Sequence, residues 1–517
     1  MNFRALAVPV TIAGLLIVGV AAIYTPRLSS APIYLMHDEV NYGLQAHAIA
    51  QSGRDTNGRF MPVYFSETGF EAGRDPVPIY AMALALLVLP LSEGAVRLPV
   101  ALVGVLNVLL MWALARRLFS SERLGVLAAL LLAFTPGHFI NARLALGILF
   151  PLPFLMVWLI CAERFVTRRS RGASVGAGLA LGLGVYSYLA AVLMMPAYLA
   201  ISLATAWRQW RRPSAWLLVL AFFAALLPLV AWHWFHPERI AGLMTAYRPL
   251  GEASVESAPG VLEIVRGRLG VAWNFFSPDV WFISGSAKGT NSTRMAGLFP
   301  LAFAVLLPLG VYATWRGRLG KLGPVILAAF AIAPLATVVS GQVEIYRILF
   351  VLPFGVLAAS AGAVELLRAG RLRRWIGIGL VATVGVQFVS VYVDYMGPYR
   401  DRSSQWFGGN MRGAVLAAIA TKESAEGVVW LSARSPIERY WRFYAIAEGH
   451  PDWEVGPVYY DPATFDEAQI TGRAILVCSP GDPACRSVAG RTSWREVQRV
   501  HEPNGAESYF VFARAVQ

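Results

Sequence analysis

Long apolar runs, each ended by arginines, dominate residues 1–393. A helix needs roughly 20 apolar residues to cross a hydrocarbon core about 30 Å thick. Inside lipid, a helix satisfies its backbone N–H and C=O groups within one segment. We therefore predict about eleven transmembrane helices, the first over residues 5–25. The others are expected at 97–115, 124–140, 144–163, 174–189, 190–207, 214–235, 297–315, 322–340, 348–366 and 375–393.

The arginines between these runs predict how the chain is oriented. Basic clusters occur at 116–123, 164–171, 208–212, 316–321 and 368–374, which are alternate loops. All of them can be cytoplasmic, as the positive-inside tendency requires. The N-terminus is then cytoplasmic, and the first outer loop is 26–96. An apolar segment at 78–91 would break the alternation if it crossed, so we expect it to be a juxtamembrane helix.

The tail differs in pattern from the rest of the chain. Strand-like runs at 428–431, 474–477 and 509–512 are interspersed with helical stretches at 411–421 and 437–447. We predict two domains: a transmembrane domain over 1–393, and an extracytoplasmic α/β domain over 394–517.

The cysteines bear on the compartment of the tail. Cys478 and Cys485 flank a short loop, and a disulfide between them is plausible if the segment faces an oxidising compartment. The alternative is two unrelated thiols. Cys161 lies in an apolar run and is expected to be inert packing.

Composition excludes an ordinary soluble protein. Hydrophobic residues make up 56% of the chain and charged residues 15%, whereas soluble domains carry about a quarter charged residues. The net charge of +13 could suggest nucleic-acid binding. Because the arginines form short clusters between apolar runs, the charge is that of a membrane protein, and we expect no nucleic-acid partner.

Candidate chemistry begins with two adjacent carboxylates, Asp38 and Glu39, soon after the first apolar run. The later runs are nearly free of acids, so this pair stands out at the water-facing mouth of the protein. A carboxylate there can accept a proton from a reacting hydroxyl. Asp38, or with less support Glu39, is therefore the candidate general base.

Arg97, Arg143 and Arg347 lie at the outer ends of predicted spans. An arginine at membrane depth costs about 2.5–3.5 kcal/mol or more, so an anion is expected to offset it. A phosphate fits, because arginine binds it bidentately and stays charged; the alternative is snorkelling to headgroups. Other polar candidates for substrate binding in the outer segments are Asn41, Tyr42, Arg74, Asp75, His138, Tyr186, Tyr188, Lys288 and Tyr346.

These motifs resemble those of a known group. The stretch from Asp38 to Gly43 resembles the acidic first-loop motif of protein O-mannosyltransferases. The run from Asp75 to Tyr80 resembles a juxtamembrane motif of that group and of aminoarabinose transferases, although it lacks a strict Pro-Pro pair. Residues 96–99, which open the second span, are similar to a further element of this group, and residues 141–143 resemble a Ser-Arg element after the third span. The resemblance is to family-39-type glycosyltransferases of the GT-C fold. It covers about residues 1–200, and the rest by hydropathy.

The resemblance implies a polytopic GT-C-like membrane protein in the bacterial inner membrane. It also implies a polyprenyl-phosphate sugar as donor and a protein, lipid or glycan hydroxyl as acceptor, with inversion at the anomeric carbon. No certain cofactor follows. A divalent metal has no clear ligand set, because the 137–143 loop lacks the second acid of the aminoarabinose transferases.

Three other functions are compatible with the pattern. A transporter or flippase of a lipid-linked sugar would place ionisable residues at mid-membrane, whereas here they concentrate on one face. A lipid-linked glycan ligase or polymerase would rely on arginine- and histidine-rich outer loops without an acidic pair after the first span. The third is a membrane scaffold that carries an outer domain.

Overall fold

The structure is a computed structural model that describes residues 3–67, 70–206, 212–236, 261–286, 288–341, 343–434 and 436–514. Within these ranges, six helices are long and apolar enough to cross a membrane. They are Glu93–Leu118, Gly147–Arg168, Ala215–Phe235, Gly320–Ser340, Ile345–Arg368 and Arg371–Met396. Shorter apolar helices occupy Val8–Tyr24, Pro76–Leu86, Ala191–Thr205 and Phe303–Trp315. The count of eleven spans and the membrane orientation stay predictions, and parts of the 208–212 and 236–296 segments lie outside the described residues.

Contacts divide the chain into two compact units. The first comprises Met1–Pro26, Asn57–Ala81 and Pro99–Val393. The second comprises Arg27–Thr56, Met82–Leu98 and Asp394–Gln517. Most of the first outer loop therefore groups with the tail, although it is far from it in sequence. The domains predicted over 1–393 and 394–517 stay a prediction, and the inclusion of 27–56 and 82–98 in the second unit was not expected from the sequence.

Helices make up most of the first unit. Some lie close because they meet at small residues, as where Gly310 contacts Ala358 and Gly362 contacts Leu306. The helices that lie wholly or mainly in this unit are Phe3–Tyr24, Pro76–Leu86, Glu93–Leu118, Glu122–Ala133, Pro136–Asn141, Pro151–Arg168, Arg171–Gly184, Ala191–Ala206, Arg212–Phe235, Val261–Phe275, Phe303–Trp315, Gly323–Ile332, Leu335–Ser340, Ile345–Ile348, Leu352–Arg368 and Arg371–Met396. Three of them, Pro76–Leu86, Glu93–Leu118 and Arg371–Met396, have one end in the second unit. A short antiparallel pair joins strands β1 (Phe65–Glu67) and β2 (Phe70–Arg74).

The second unit contains a five-stranded sheet in the order β4-β3-β5-β7-β6. Its strands are β3 (Val428–Ser432), β4 (Val458–Tyr460), β5 (Ala474–Cys478), β6 (Trp494–His501) and β7 (Glu507–Arg514). Strands β4 and β5 run parallel to β3, whereas β7 is antiparallel to β5 and β6. The helices are His37–Ser52, Pro398–Ser403, Met411–Ala425, Ile437–Ala447 and Pro483–Val488.

The structure confirms the predicted strands β3, β5 and β7 and the two predicted helices of the tail. The fully buried β5 has a continuous apolar pattern. The edge strands β4 and β6 were not predicted, because most of their residues are exposed and polar or aromatic. The disulfide between Cys478 and Cys485 is present, with a Cα–Cα distance of 5.7 Å.

Candidate active site

The acidic pair opens the helix His37–Ser52, which we call the first-loop helix. Asp38 and Glu39 lie in its first turn, where the unpaired N–H groups of a helix favour negative charge. The backbone N–H of Met36 donates to Glu39 Oε2 at 2.9 Å. Glu39 therefore helps to fix where the helix begins.

Glu39 forms a fully buried ion pair with Arg97, and both side chains have 0% exposure. Arg97 donates from Nε to Glu39 Oε1 at 2.9 Å and from Nη2 to Oε2 at 3.0 Å. Its remaining N–H groups donate to three backbone carbonyls, those of Leu28, Pro32 and Tyr34. All five donors of the guanidinium are therefore used within the protein. Arg97 thus has its donors engaged within the protein and Glu39 is enclosed, and the substrate roles predicted for both stay predictions.

Asp38 has different surroundings from its neighbour. Its side chain is 31% exposed, and its Oδ1 lies 3.1 Å from Nε2 of His37, which is 51% exposed. Of the two adjacent carboxylates, Asp38 is the one that solvent or a substrate can reach. The structure thus gives Asp38 and Glu39 different surroundings, which the sequence did not distinguish.

The first-loop helix packs against the helix Ile437–Ala447 of the tail, which we call the tail helix. Tyr440 of the tail helix donates its hydroxyl to the Leu35 carbonyl at 2.7 Å. A Cβ at Gly43 would approach the Phe443 ring within 2.8 Å, so the two helices are in close contact. Burial raises the pKa of Tyr440, which keeps its hydroxyl protonated as a donor. The first-loop residues Asn41 and Tyr42, predicted to bind substrate, are themselves buried.

A second link joins the tail helix to the start of the helix Glu93–Leu118. Tyr444 donates its hydroxyl to Glu93 Oε1 at 2.5 Å, and Arg412 Nε lies 3.4 Å from the same oxygen. Glu93 is buried, so these two partners offset the cost of enclosing its carboxylate. Sequence reasoning missed Glu93; an acid in the first turn of an apolar helix was the signal for it.

In the first unit, Arg143 holds the end of the first helix. It is fully buried, and it donates from Nη1 to the Tyr24 carbonyl at 2.5 Å and from Nη2 to the Pro26 carbonyl at 2.6 Å. Cationic donors suit the unsatisfied carbonyls at a helix C-terminus. Arg143 thus has a structural role, and its predicted contact with phosphate stays a prediction.

His138 is also internal. Its Nδ1 lies 2.8 Å from the Tyr24 hydroxyl, which donates to the Ala133 carbonyl at 2.8 Å. Its Nε2 lies 3.3 Å from Nδ2 of Asn107. We assign the proton to Nδ1, because the hydroxyl already donates elsewhere and the amide nitrogen can only donate. Both ring nitrogens are engaged and the residue is fully buried, and the predicted substrate contact of His138 stays a prediction.

Tyr186 supports a proline-containing helix. Its hydroxyl donates to the Ala225 carbonyl at 2.8 Å and accepts from the Leu229 N–H at 3.1 Å. These two backbone groups flank Pro228, where a helix loses a backbone hydrogen bond. The hydroxyl therefore bridges two backbone groups of this helix, and the predicted role of Tyr186 as a wall for sugar or phosphate stays a prediction.

The predicted juxtamembrane motif meets two other segments. A Cβ at Gly147 would lie 2.9 Å from Pro78 Cγ, 3.1 Å from the Ser187 carbonyl and 3.5 Å from Asp75 Oδ2. Asp75 is buried there, whereas the side chain of Arg74 lies outside the described part of the chain. The structure thus brings the motif, Gly147 and the Tyr186–Tyr188 turn together. Tyr188 is half-buried with its ring 6.4 Å from that of Phe350.

Two predicted outer segments converge at Lys288 and Glu344. Lys288 Nζ lies 3.0 Å from Glu344 Oε1, with side-chain exposures of 63% and 12%. The hydrogen bond to Glu344 raises the pKa of Lys288. Arg347 lies over the Tyr346 ring at 5.4 Å. Its Nη1 is buried without a hydrogen-bond partner among the described residues. Lys288, which is exposed, and Arg347, whose Nη1 has no partner among the described residues, therefore differ from Arg97, whose donors are all engaged.

No group of three or more His, Cys, Asp or Glu side chains suited to a metal ion occurs in the described ranges. Neither Asp38 nor Glu344 has such neighbours there.

Comparison with known proteins identifies the fold. A model of the dolichyl-phosphate-mannose-protein mannosyltransferase family matches residues 73–232. The chain resembles the structure of ArnT from Cupriavidus metallidurans bound to undecaprenyl phosphate, with a TM-score of 0.61 and 17% identity over 97% of both chains. The apo state of that protein gives a TM-score of 0.57 at the same identity and coverage. No curated protein matches in sequence. The chain therefore has the GT-C fold of membrane glycosyltransferases, as its sequence predicted.

Proposed function

We propose that this protein is a membrane glycosyltransferase that moves a sugar from a polyprenyl-phosphate donor to an acceptor hydroxyl on the extracytoplasmic face. The observation that carries the proposal is the difference in burial between two adjacent carboxylates. Glu39 is buried against Arg97, whereas Asp38 is partly exposed. The GT-C fold supports it, because the structurally similar ArnT binds undecaprenyl phosphate.

Asp38 is the proposed general base. It takes the proton of the acceptor hydroxyl as that oxygen forms a bond to the anomeric carbon. The bond from this carbon to the phosphate oxygen breaks, and the electron pair leaves with the polyprenyl phosphate. Attack from the face opposite the phosphate inverts the anomeric centre. The leaving group is a lipid phosphate, so the reaction needs no nucleotide.

Lys288 and Arg347 are the proposed phosphate ligands. Lys288 is exposed and carries a positive charge, and Arg347 has a donor that the described residues do not satisfy. Donors of this kind stabilise charge that develops on a leaving phosphate. Arg97, all of whose donors are engaged within the protein, is left out of this role.

The test is donor turnover by the full-length protein in nanodiscs with a panel of polyprenyl-phosphate sugars. Asp38→Asn should lower the transfer rate by about 10²–10⁴-fold, with donor binding and melting temperature unchanged. The matched control is Asp452→Asn, which neutralises an exposed carboxylate of the tail and should keep the wild-type rate. Near wild-type transfer by Asp38→Asn would overturn the base. Failure of the folded wild type to turn over any donor would count against the enzyme itself.

A further inference from the structure

A basic cavity of about 870 Å³ lies at one end of the first unit. It opens where the helix Phe303–Trp315 ends and where Leu352–Arg368 gives way to Arg371–Met396. Its lining includes four arginines and one carboxylate: Arg316, Arg318, Arg368, Arg373 and Glu365. The function proposed above makes no use of this cavity.

The charges in the cavity are unbalanced. Arg318 is paired with Glu365. The other three arginines are exposed, and their guanidinium groups make no hydrogen bond or ion pair with the described residues. Like charges that share a concave surface repel one another, and an anion placed among them would relieve that repulsion. Arginine suits phosphate in particular, because its planar fork matches two phosphate oxygens.

We call the rim the exposed aromatic and apolar residues that line the cavity or lie within two positions of a lining residue in sequence. Tyr312, which lines the cavity, is 58% exposed. Trp315 is 73%, Leu372 75% and Trp375 62% exposed. Tyrosine and tryptophan gather at membrane–water interfaces, where one part of the ring is in lipid and another in water. A ligand with a phosphate and acyl chains fits these surroundings better than a soluble anion does.

The cavity is far from Arg347. The segment Ile345–Arg368 has 24 residues, which extend about 36 Å at 1.5 Å per residue. Arg347 is near its beginning and Arg368 is at its end. This length is comparable with the thickness of the hydrocarbon core, about 30 Å. The cavity therefore lies at the opposite membrane surface from Arg347.

We propose that this cavity binds the phosphate headgroup of an anionic phospholipid. Arg316, Arg368 and Arg373 contact the phosphate, while the acyl chains lie along the aromatic rim. Basic pockets between transmembrane helices are suited to anionic headgroups for the same reason.

The experiment measures phosphatidylglycerol binding to the purified full-length protein by native mass spectrometry, with phosphatidylcholine as the neutral comparison. The triple variant R316Q/R368Q/R373Q should lower phosphatidylglycerol affinity by at least about tenfold. The matched control is R164Q/R168Q/R171Q, which removes the same charge from another exposed basic segment and should change affinity less than about twofold. Melting temperatures establish that both variants are folded, and R373Q alone should show a smaller loss.

Equal losses in the two triple variants would overturn the proposal, because general surface charge would then explain the binding. An affinity unchanged in the cavity variant would overturn it as well. A competition experiment with inorganic phosphate distinguishes a lipid site from a site for free phosphate. Displacement of the lipid by millimolar phosphate alone would identify a site for free phosphate instead of a lipid site. Retention of the lipid under those conditions supports the proposal.

Discussion

The surroundings of Arg97 and Arg347 differ, although both arginines were predicted to bind phosphate. Arg97 is enclosed, and each of its donors has a partner in Glu39 or in a backbone carbonyl. Arg347 lies beside the half-exposed pair of Lys288 and Glu344 and retains a donor without a partner in the described residues. The comparison teaches that an arginine at the outer end of a span can serve the chain or a ligand. Its sequence position does not decide which, whereas the count of satisfied donors does.

Breaking the buried pair should have the largest effect on stability. Glu39→Gln leaves Arg97 charged and only partly paired, and loss of one partner of a buried pair costs about 3–5 kcal/mol. Arg97→Lys should be destabilising too, because an ammonium cannot reach the carboxylate and three carbonyls together. Denaturant unfolding in detergent measures both variants. A change below about 1 kcal/mol in Glu39→Gln would mean that this pair behaves like an exposed one.

Tyr444→Phe tests whether the hydrogen bond to the buried Glu93 carboxylate contributes to stability. The variant removes a hydrogen bond to a buried carboxylate, which should cost about 1–3 kcal/mol. Tyr459→Phe is the control, because it removes a hydroxyl from the exposed strand β4. The same unfolding experiment should show a change near zero for the control. Equal effects of the two substitutions would refute the role of the Tyr444–Glu93 bond.

Arg347→Gln should affect the substrate more than the fold. Loss of a phosphate ligand is expected to raise KM for the donor about tenfold, or about 1.4 kcal/mol, with little change in melting temperature. Steady-state transfer at several donor concentrations measures this. Arg266→Gln, an exposed arginine on the helix Val261–Phe275, serves as the control. If Arg347→Gln unfolds the protein while donor KM is unchanged, Arg347 belongs with Arg97.

Lys288→Gln should have the smallest effect on stability, less than about 1 kcal/mol, because the lysine side chain is 63% exposed. The hydrogen bond to Glu344 raises the pKa of Lys288 in the folded protein. The contribution of this lysine is therefore complete below the ordinary lysine pKa of about 10.4 and is lost as pH rises through the raised value. Unfolding of wild type and variant at pH 7, 9 and 11 measures this. A stability difference that grows with pH would contradict the assignment.

Much of the architecture could be predicted because it is local. The apolar runs and the strands β3, β5 and β7 show their periodicity in the sequence, and the motif at Asp38 and Glu39 indicates where to look for a base. The partner of each charge could not be predicted, because it depends on tertiary structure. Glu39 and Arg97 are 58 residues apart, and Glu93 and Tyr444 are 351 apart. For this reason the sequence did not show the internal partners of Arg97, Arg143, His138 and Tyr186.

The hydrogen bond from Tyr440 to Leu35 has a consequence for how the protein is made. Its two residues are separated by 405 positions, which take about 20–80 s to translate at 5–20 residues per second. Arg97 can pair with Glu39 early, as soon as the second apolar helix has been synthesised. The tail helix can join the first-loop helix only when the ribosome has nearly finished. During this interval the segment that carries Asp38 in each new chain lacks its contact with the tail helix.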